Sequence, residues 1–214
     1  MGENCLTDDI LSRNDLKSFS SPFASGRSNV EYVLAFEKEN YADFLNPDML
    51  KYEIFIEKTV PRNKKYVETV NHYNNSCTNG VEFTHHDVIS DSDMAEKISK
   101  RCNRLLSFRN KELVFVYHNR YCPDTDFNLM ASHFEELKKI YESRSNHVQV
   151  YVFTQRIVEN AADRRTECRE INGTKFYTFY TLNVWEGEDQ DIFWARCDND
   201  LIKVMIDDII EHTK

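Results

Sequence analysis

The apolar run Leu113-Val114-Phe115-Val116-Tyr117 stands between two long stretches of helical period, and this arrangement constrains the chain more than any other feature. Residues Asp93 to Phe108 place Met94, Ile98, Cys102 and Leu105 on one face, and Phe127 to Arg144 do the same with Met130, Phe134, Leu137 and Tyr141. A second apolar run follows at Val148 to Thr154, an aromatic and β-branched one at Lys175 to Leu182, and a closing helical pattern at Leu201 to His212. Short runs with no polar alternation suit strands covered on both faces, and strands separated by helices of this length suit β-α-β units. The expectation is an α/β fold: a three-layer sandwich with a mostly parallel central sheet.

The N-terminal half is less regular. A first helix is expected over Thr7 to Leu16. A second is expected from Ser28, where Ser28 and Glu31 have the spacing of a capping box and Val30, Val33 and Leu34 form a stripe. Tyr52 to Thr59 alternates Ile54 and Ile56 with Glu53 and Glu57, which predicts a half-buried strand. Residues 60–80 are polar and read as a loop or insertion, and Val81 to His85 as a short strand. A length of 214 residues fits one domain.

Composition removes several functions. Five glycines leave no G-x-G-x-x-G and no G-x-x-x-x-G-K-[ST], so a glycine-built phosphate cradle is not expected. The net charge of −9 argues against nucleic acid as a partner. No apolar run approaches the ~20 residues of a transmembrane helix. Met1-Gly2-Glu3-Asn4-Cys5 lacks the basic and apolar regions of a secretory signal. The six cysteines are scattered without a C-x-x-C, as in thiols of a reducing compartment, and a cytoplasmic location is expected. No His or Cys spacing matches a zinc motif. Neither metal nor cofactor is expected.

In parallel sheets, ligands bind beyond the carboxyl ends of the strands. There the sequence places His85 and His86, then His118, Asn119 and Arg120, then Gln155 and Arg156. Cys5 stands just before the first helix, where free N–H groups favour a thiolate. One imidazole of His85-His86-Asp87 can act as base to such a nucleophile. Asn119 can donate to an oxyanion or orient the histidine. Ser20, Ser21 and Arg27 lie in a serine-rich segment that enters the second helix, a suitable place for an anionic group. With His85 and Arg156 they are the candidate substrate-binding residues. The glycosylation sequons Asn74-Asn75-Ser76 and Asn172-Gly173-Thr174 are expected to be chance matches.

Asn4-Cys5-Leu6, followed by Leu16-Lys17-Ser18-Phe19-Ser20-Ser21-Pro22-Phe23, resembles the opening signature of a bacterial family of unknown function, the putative papain-like cysteine peptidases. Phe83-Thr84-His85-His86-Asp87, then Arg101 and Arg104, then Leu113-Val114-Phe115-Val116, resemble its second signature. The matches span roughly residues 2 to 120. This chain has Phe23-Ala24-Ser25 where the family shows Phe-Asp-Trp, and only four residues stand where the family has a strand before the cysteine. The resemblance implies Cys5 as nucleophile, His86 as base and a link to surface-polysaccharide genes. Cys5 and Asn119 also resemble the nucleophile and oxyanion Asn of SGNH-type acyl hydrolases, although Asp208 and His212 are spaced one residue too far apart for that group.

The expected function is cysteine-dependent acyl hydrolysis or acyl transfer on a small molecule, glycan or peptide. The alternatives are a glycan-modifying transferase that holds an anionic donor on Arg27 and Arg156 without covalent catalysis, and a non-catalytic binding module. The oligomeric state is left open.

Overall fold

The computed structural model describes residues 1–2, 5–24, 26–55, 58–65, 81–185 and 190–213. Its elements are α1 (Leu6–Arg13), α2 (Val30–Lys38), β1 (Leu50–Phe55), β2 (Lys58–Asn63), α3 (Ser92–Ser107), β3 (Glu112–His118), α4 (Phe127–Glu142), β4 (His147–Ile157), β5 (Arg165–Ile171), β6 (Thr174–Thr181), α5 (Gln190–Cys197) and α6 (Asn199–His212). The fold is α/β. A four-stranded sheet has the order β3-β4-β6-β5, with β3, β4 and β6 parallel and β5 antiparallel to β6.

Alternate residues of each strand enter two separate cores, as the period of two requires. Leu113, Phe115 and Tyr117 of β3, with Val148, Val150 and Val152 of β4, pack with the apolar stripes of α2, α3 and α4. Val116, Tyr151, Phe153, Tyr177 and Phe179 pack instead with Leu6 and Ile10 of α1 and with Ile202, Met205, Ile206 and Ile209 of α6. Aspartates start two of the helices. The Asp91 side chain accepts from the Met94 N–H at the head of α3, and Asp126 accepts from Asn128 and Leu129 at the head of α4. Between α2 and α4 the buried Glu37 carboxylate accepts the hydroxyls of Tyr41, at 2.5 Å, and Tyr141. Burial pushes its pKa up, against those hydrogen bonds.

Four sequence expectations are corrected. The cap of α2 is Asn29, whose side chain accepts from the Tyr32 N–H, because the Ser28 N–H is already given to Gly2 O at 3.0 Å. Tyr52 to Thr59 is not one half-buried strand: β1 turns into β2 as an antiparallel hairpin, and Ile54 is exposed. The stretch read as a loop from residue 60 begins with buried strand residues Val60, Pro61, Arg62 and Asn63, while residues 66–80 lie outside the described ones. β5 and α5 were not foreseen. β5 and β6 are joined by Asn172 and Gly173, both at positive φ (49° and 69°), the backbone of a two-residue hairpin turn.

Val81 to Phe83 is reduced to bridges, and those bridges join the two sheets. Glu82 pairs with Arg27 on one side and Arg62 on the other. Ser28 then bonds Gly2, and Gly2 bridges His118 in parallel. Among the described residues before Cys5, this single bridge stands where a full strand was not expected. It needs glycine: a Cβ on Gly2 would lie 2.6 Å from the His118 carbonyl oxygen, and its φ is +135°. Glu82 is fully buried and its side chain carries the junction. Arg62, equally buried, reaches it at 2.7 Å, Thr84 donates its hydroxyl at 2.8 Å, and Arg27 stands 3.6 Å away. Arg62 also meets Glu53 of β1 at 2.6 Å.

Removing one partner of such a pair leaves a buried charge uncompensated. Arg62→Met is expected to lower stability by about 3–5 kcal/mol in urea unfolding, and Arg62→Met/Glu82→Leu to recover part of the loss. A loss under about 1 kcal/mol for Arg62→Met would show that the junction is not held by this pair.

Candidate active site

The direction of the sheet decides where chemistry can sit. Gly2 runs parallel to β3 at its last residue, so the chain leaves the sheet at the carboxyl end and turns through Cys5 into α1. Cys5 is the N-cap of α1. Its carbonyl accepts from the N–H groups of Asp8 and Asp9, and its side chain caps nothing. The thiol therefore stands at the positive end of the helix. Two carboxylates in the same turn oppose that effect, but both are paired: Asp8 with Lys17 at 2.8 Å, and Asp9 with Arg196 at 2.7 Å.

His86 is partly buried, and among the described residues no side chain bonds either of its ring nitrogens. Burial lowers its pKa most, and the positive charge of Arg101 and neighbouring His85 add to this, while a bond to the His85 backbone and the charge of Asp8 oppose it. The imidazole is thus kept neutral and able to accept a proton. Asp8 is in the turn that Cys5 caps, so His86 feels the same end of α1. Asp87 is committed elsewhere. Its carboxylate accepts from Ser90 Oγ at 2.6 Å and Tyr52 Oη at 2.9 Å, and these bonds, Ser90 first, hold its pKa near 2. His85 is exposed.

Asn119 is fully buried directly after β3, with its N–H bonded to Phe153 O at 2.9 Å. Beside Gly2, Ser28 Oγ and Asn29 Nδ2 are buried without a partner among the described residues. Ser21 lines a small hollow of about 80 Å³ with Met1, Thr7, Asp8 and Lys17. Ser20 is half-buried. Arg27 lies against Glu82 in the junction between the sheets, so its charge is matched. Arg156 lies elsewhere, at the end of β4. It lines a cleft of about 370 Å³ with His118, Arg120, Gln155 and Trp185.

His118, placed at a strand end by the sequence, was given no role there. It is buried and stacked on Phe153 with ring centroids 4.9 Å apart. Burial, then Arg120 and the chain's amino group, lower its pKa to about 3. Its signal in the sequence was its place at the carboxyl end of an apolar strand. Gln155 shapes the same cleft: its Oε1 accepts from the Trp185 N–H at 2.8 Å and its Nε2 donates to Asn183 O at 2.7 Å. Trp185 is fixed from behind by Asp198, which accepts its indole N–H at 2.9 Å.

These features define an α/β protein with a cysteine at a helix start, beyond the carboxyl ends of parallel strands. Residues 1–155 match the family described as "putative papain-like cysteine peptidase", and the chain belongs to that family. No curated protein and no solved structure matches it. Among the described residues no helix is long and apolar enough to cross a membrane, and no cluster of three His, Cys, Asp or Glu residues is placed to hold a metal.

A depressed histidine makes a pH prediction. Between about pH 3 and 6.5 the unfolded chain binds a proton at His118 that the folded chain does not. Stability therefore falls as pH drops through that window. His118→Gln is expected to flatten this part of the stability profile, measured by urea unfolding at a series of pH values. An unchanged slope would show that the ring titrates normally.

Proposed function

We propose that this chain is a cysteine-dependent acyl hydrolase or acyltransferase, with Cys5 as nucleophile, His86 as base and Asn119 in the oxyanion hole. The observation that carries the reading is the position of Cys5: a half-buried thiol at a helix N-terminus, reached from a strand bridge at the carboxyl end of β3. Membership of the cysteine peptidase family supports it.

In the reaction, the Cys5 sulfur forms a bond to the substrate carbonyl carbon and His86 takes the thiol proton. Asn119 Nδ2 and the N–H groups at the start of α1 stabilise the negative oxygen. Collapse breaks the bond to the leaving group, which receives the proton from His86. Water or an acceptor then attacks the thioester, giving up its proton to the same imidazole, and Cys5 is regenerated. The substrate is a small molecule, glycan or peptide, and the family resemblance favours one from bacterial surface-polysaccharide metabolism in the cytoplasm. The fold behind this site is a three-layer sandwich, a reading supported by the two cores on opposite faces of the sheet. Ser20, Ser21 and His85 are assigned to the substrate side of the site.

One observation favours a second reading. Arg156 forms no salt bridge among the described residues, which suits a transferase that holds an anionic donor without covalent catalysis. Arg27 supports that reading less, because Glu82 already faces it.

Acyl thioesters, p-nitrophenyl esters and peptide esters of graded size form the test panel. Cys5→Ala is expected to lower turnover by on the order of 10⁴-fold or more, and His86→Asn by a comparable factor. Because the His86 pKa is lowered, kcat/KM should hold below pH 6.5 and fall only under the depressed value. Activity that survives Cys5→Ala would contradict the covalent reading.

A further inference from the structure

The sheet extends past the head of α4 and leaves part of one face open. Three rows of side chains lie there in register across β4, β6 and β5: Arg156-Tyr180-Arg165, Thr154-Thr178-Glu167 and Val152-Phe176-Arg169. The loop through Tyr121, Pro123 and Thr125 roofs them, and the cleft between measures about 470 Å³.

Two arginines in this cleft lie against rings and form no salt bridge among the described residues, although Glu167 lies within reach of the Arg156 charge. Arg156 lies over Tyr121 at 4.7 Å and beside Tyr180 at 5.8 Å, and Arg169 lies over Phe127 at 4.4 Å. Cation–π contacts fix a guanidinium's plane while leaving its N–H edge available. Arg165 differs, since Glu167 pairs with it at 2.8 Å and also accepts from Tyr180 Oη at 2.9 Å. Thus the one carboxylate lining the cleft is already engaged. Two guanidinium groups without a salt bridge among the described residues share one cleft in a chain of net charge −9, where acids are in excess.

The floor and roof supply a second, independent observation. Thr154 and Thr125 line the cleft, are 3% and 8% exposed, and have hydroxyls without a partner. A buried hydroxyl left unsatisfied is unfavourable, and a bound acceptor would remove that cost. Asp126 caps α4 with its own side chain, so the helix head adds little to the attraction.

We propose that this cleft binds a small oxyanion-bearing ligand, phosphate or carboxylate, between Arg156 and Arg169, with Thr154 and Thr125 donating to its oxygens. The site does not depend on the chemistry of Cys5. Arg156 also borders the cleft that contains His118, so the two openings share a wall. A ligand anchored here by its anionic end would extend toward the carboxyl ends of β3 and β4.

The test is titration calorimetry on the full chain at low ionic strength, with pyrophosphate and citrate as separate probes. Saturable binding of at least one is expected. It should weaken by about tenfold or more in Arg156→Gln and in Arg169→Gln, and measurably in Thr154→Val. Arg109→Gln serves as the control, because that exposed guanidinium bonds only backbone carbonyls at the end of α3. Preference for pyrophosphate would identify a phosphate site, and preference for citrate a carboxylate site. Binding retained in Cys5→Ala keeps this result separate from the covalent reading. No saturable binding of either probe, or equal losses in Arg109→Gln, would overturn the proposal.

Discussion

The arrangement depends on a carboxylate buried between two arginines. Glu82 is fully buried, and its charge is balanced by Arg62 at 2.7 Å and Arg27 at 3.6 Å. Its backbone links both arginine segments, so one residue joins the β1-β2 hairpin to the segment that enters α2. From there Ser28 bonds Gly2, and Gly2 lies against His118. The position of Cys5 is therefore set at the end of a chain of short bridges anchored by one ion pair. Buried pairs are costly to desolvate and gain little in net stability, but a broken one is severely unfavourable. Such a pair fixes register where strands are too short to do so themselves.

Around that junction the parallel sheet creates a directional surface. Its carboxyl end gathers Cys5, His118, Asn119, Gln155 and Arg156, while the opposite end carries none of the proposed catalytic groups. Two histidines, His118 at that end and His86 after the Glu82 bridges, have lowered pKa values, for different reasons. His118 is enclosed and stacked, which suits a wall. His86 is only partly buried and no described side chain bonds its ring, which suits a proton carrier. The open face of β4, β6 and β5 adds a basic lining to a protein that is acidic in total, so an anionic substrate would find one local surface of opposite charge.

The regular elements were legible because burial and periodicity agree in them. α3, α4, β3, β4 and α6 lie within about three residues of their expected bounds, since each carries an apolar stripe or run that the core consumes. Where charge is buried, the sequence misleads. Arg62 and Glu82 sit twenty positions apart, and neither reads as interior until the other is beside it. β5 has no apolar alternation because it is an exposed edge strand, although Asn172-Gly173 is a strong hairpin signal. The cap of α2 moved to Asn29 because the Ser28 N–H had a long-range partner. For the proposed site, Asn119 and Arg156 were singled out from strand ends, and Cys5 from its place before the first helix. Thr154 and Arg169 were not, because their shared face depends on cross-strand register, which spacing within one segment does not contain.

The central claim is that the fold activates Cys5. Alkylation by iodoacetamide as a function of pH, followed for each cysteine by mass spectrometry, tests it directly. An ordinary thiol titrates near pH 8.5, and one at a helix N-terminus beside a base titrates well below. The account predicts that Cys5 alone reacts fast near pH 6 and slows in His86→Asn, with buried Cys102, whose pKa is pushed up to about 12, nearly inert. A Cys5 profile centred near 8.5 and unchanged by His86→Asn would contradict it.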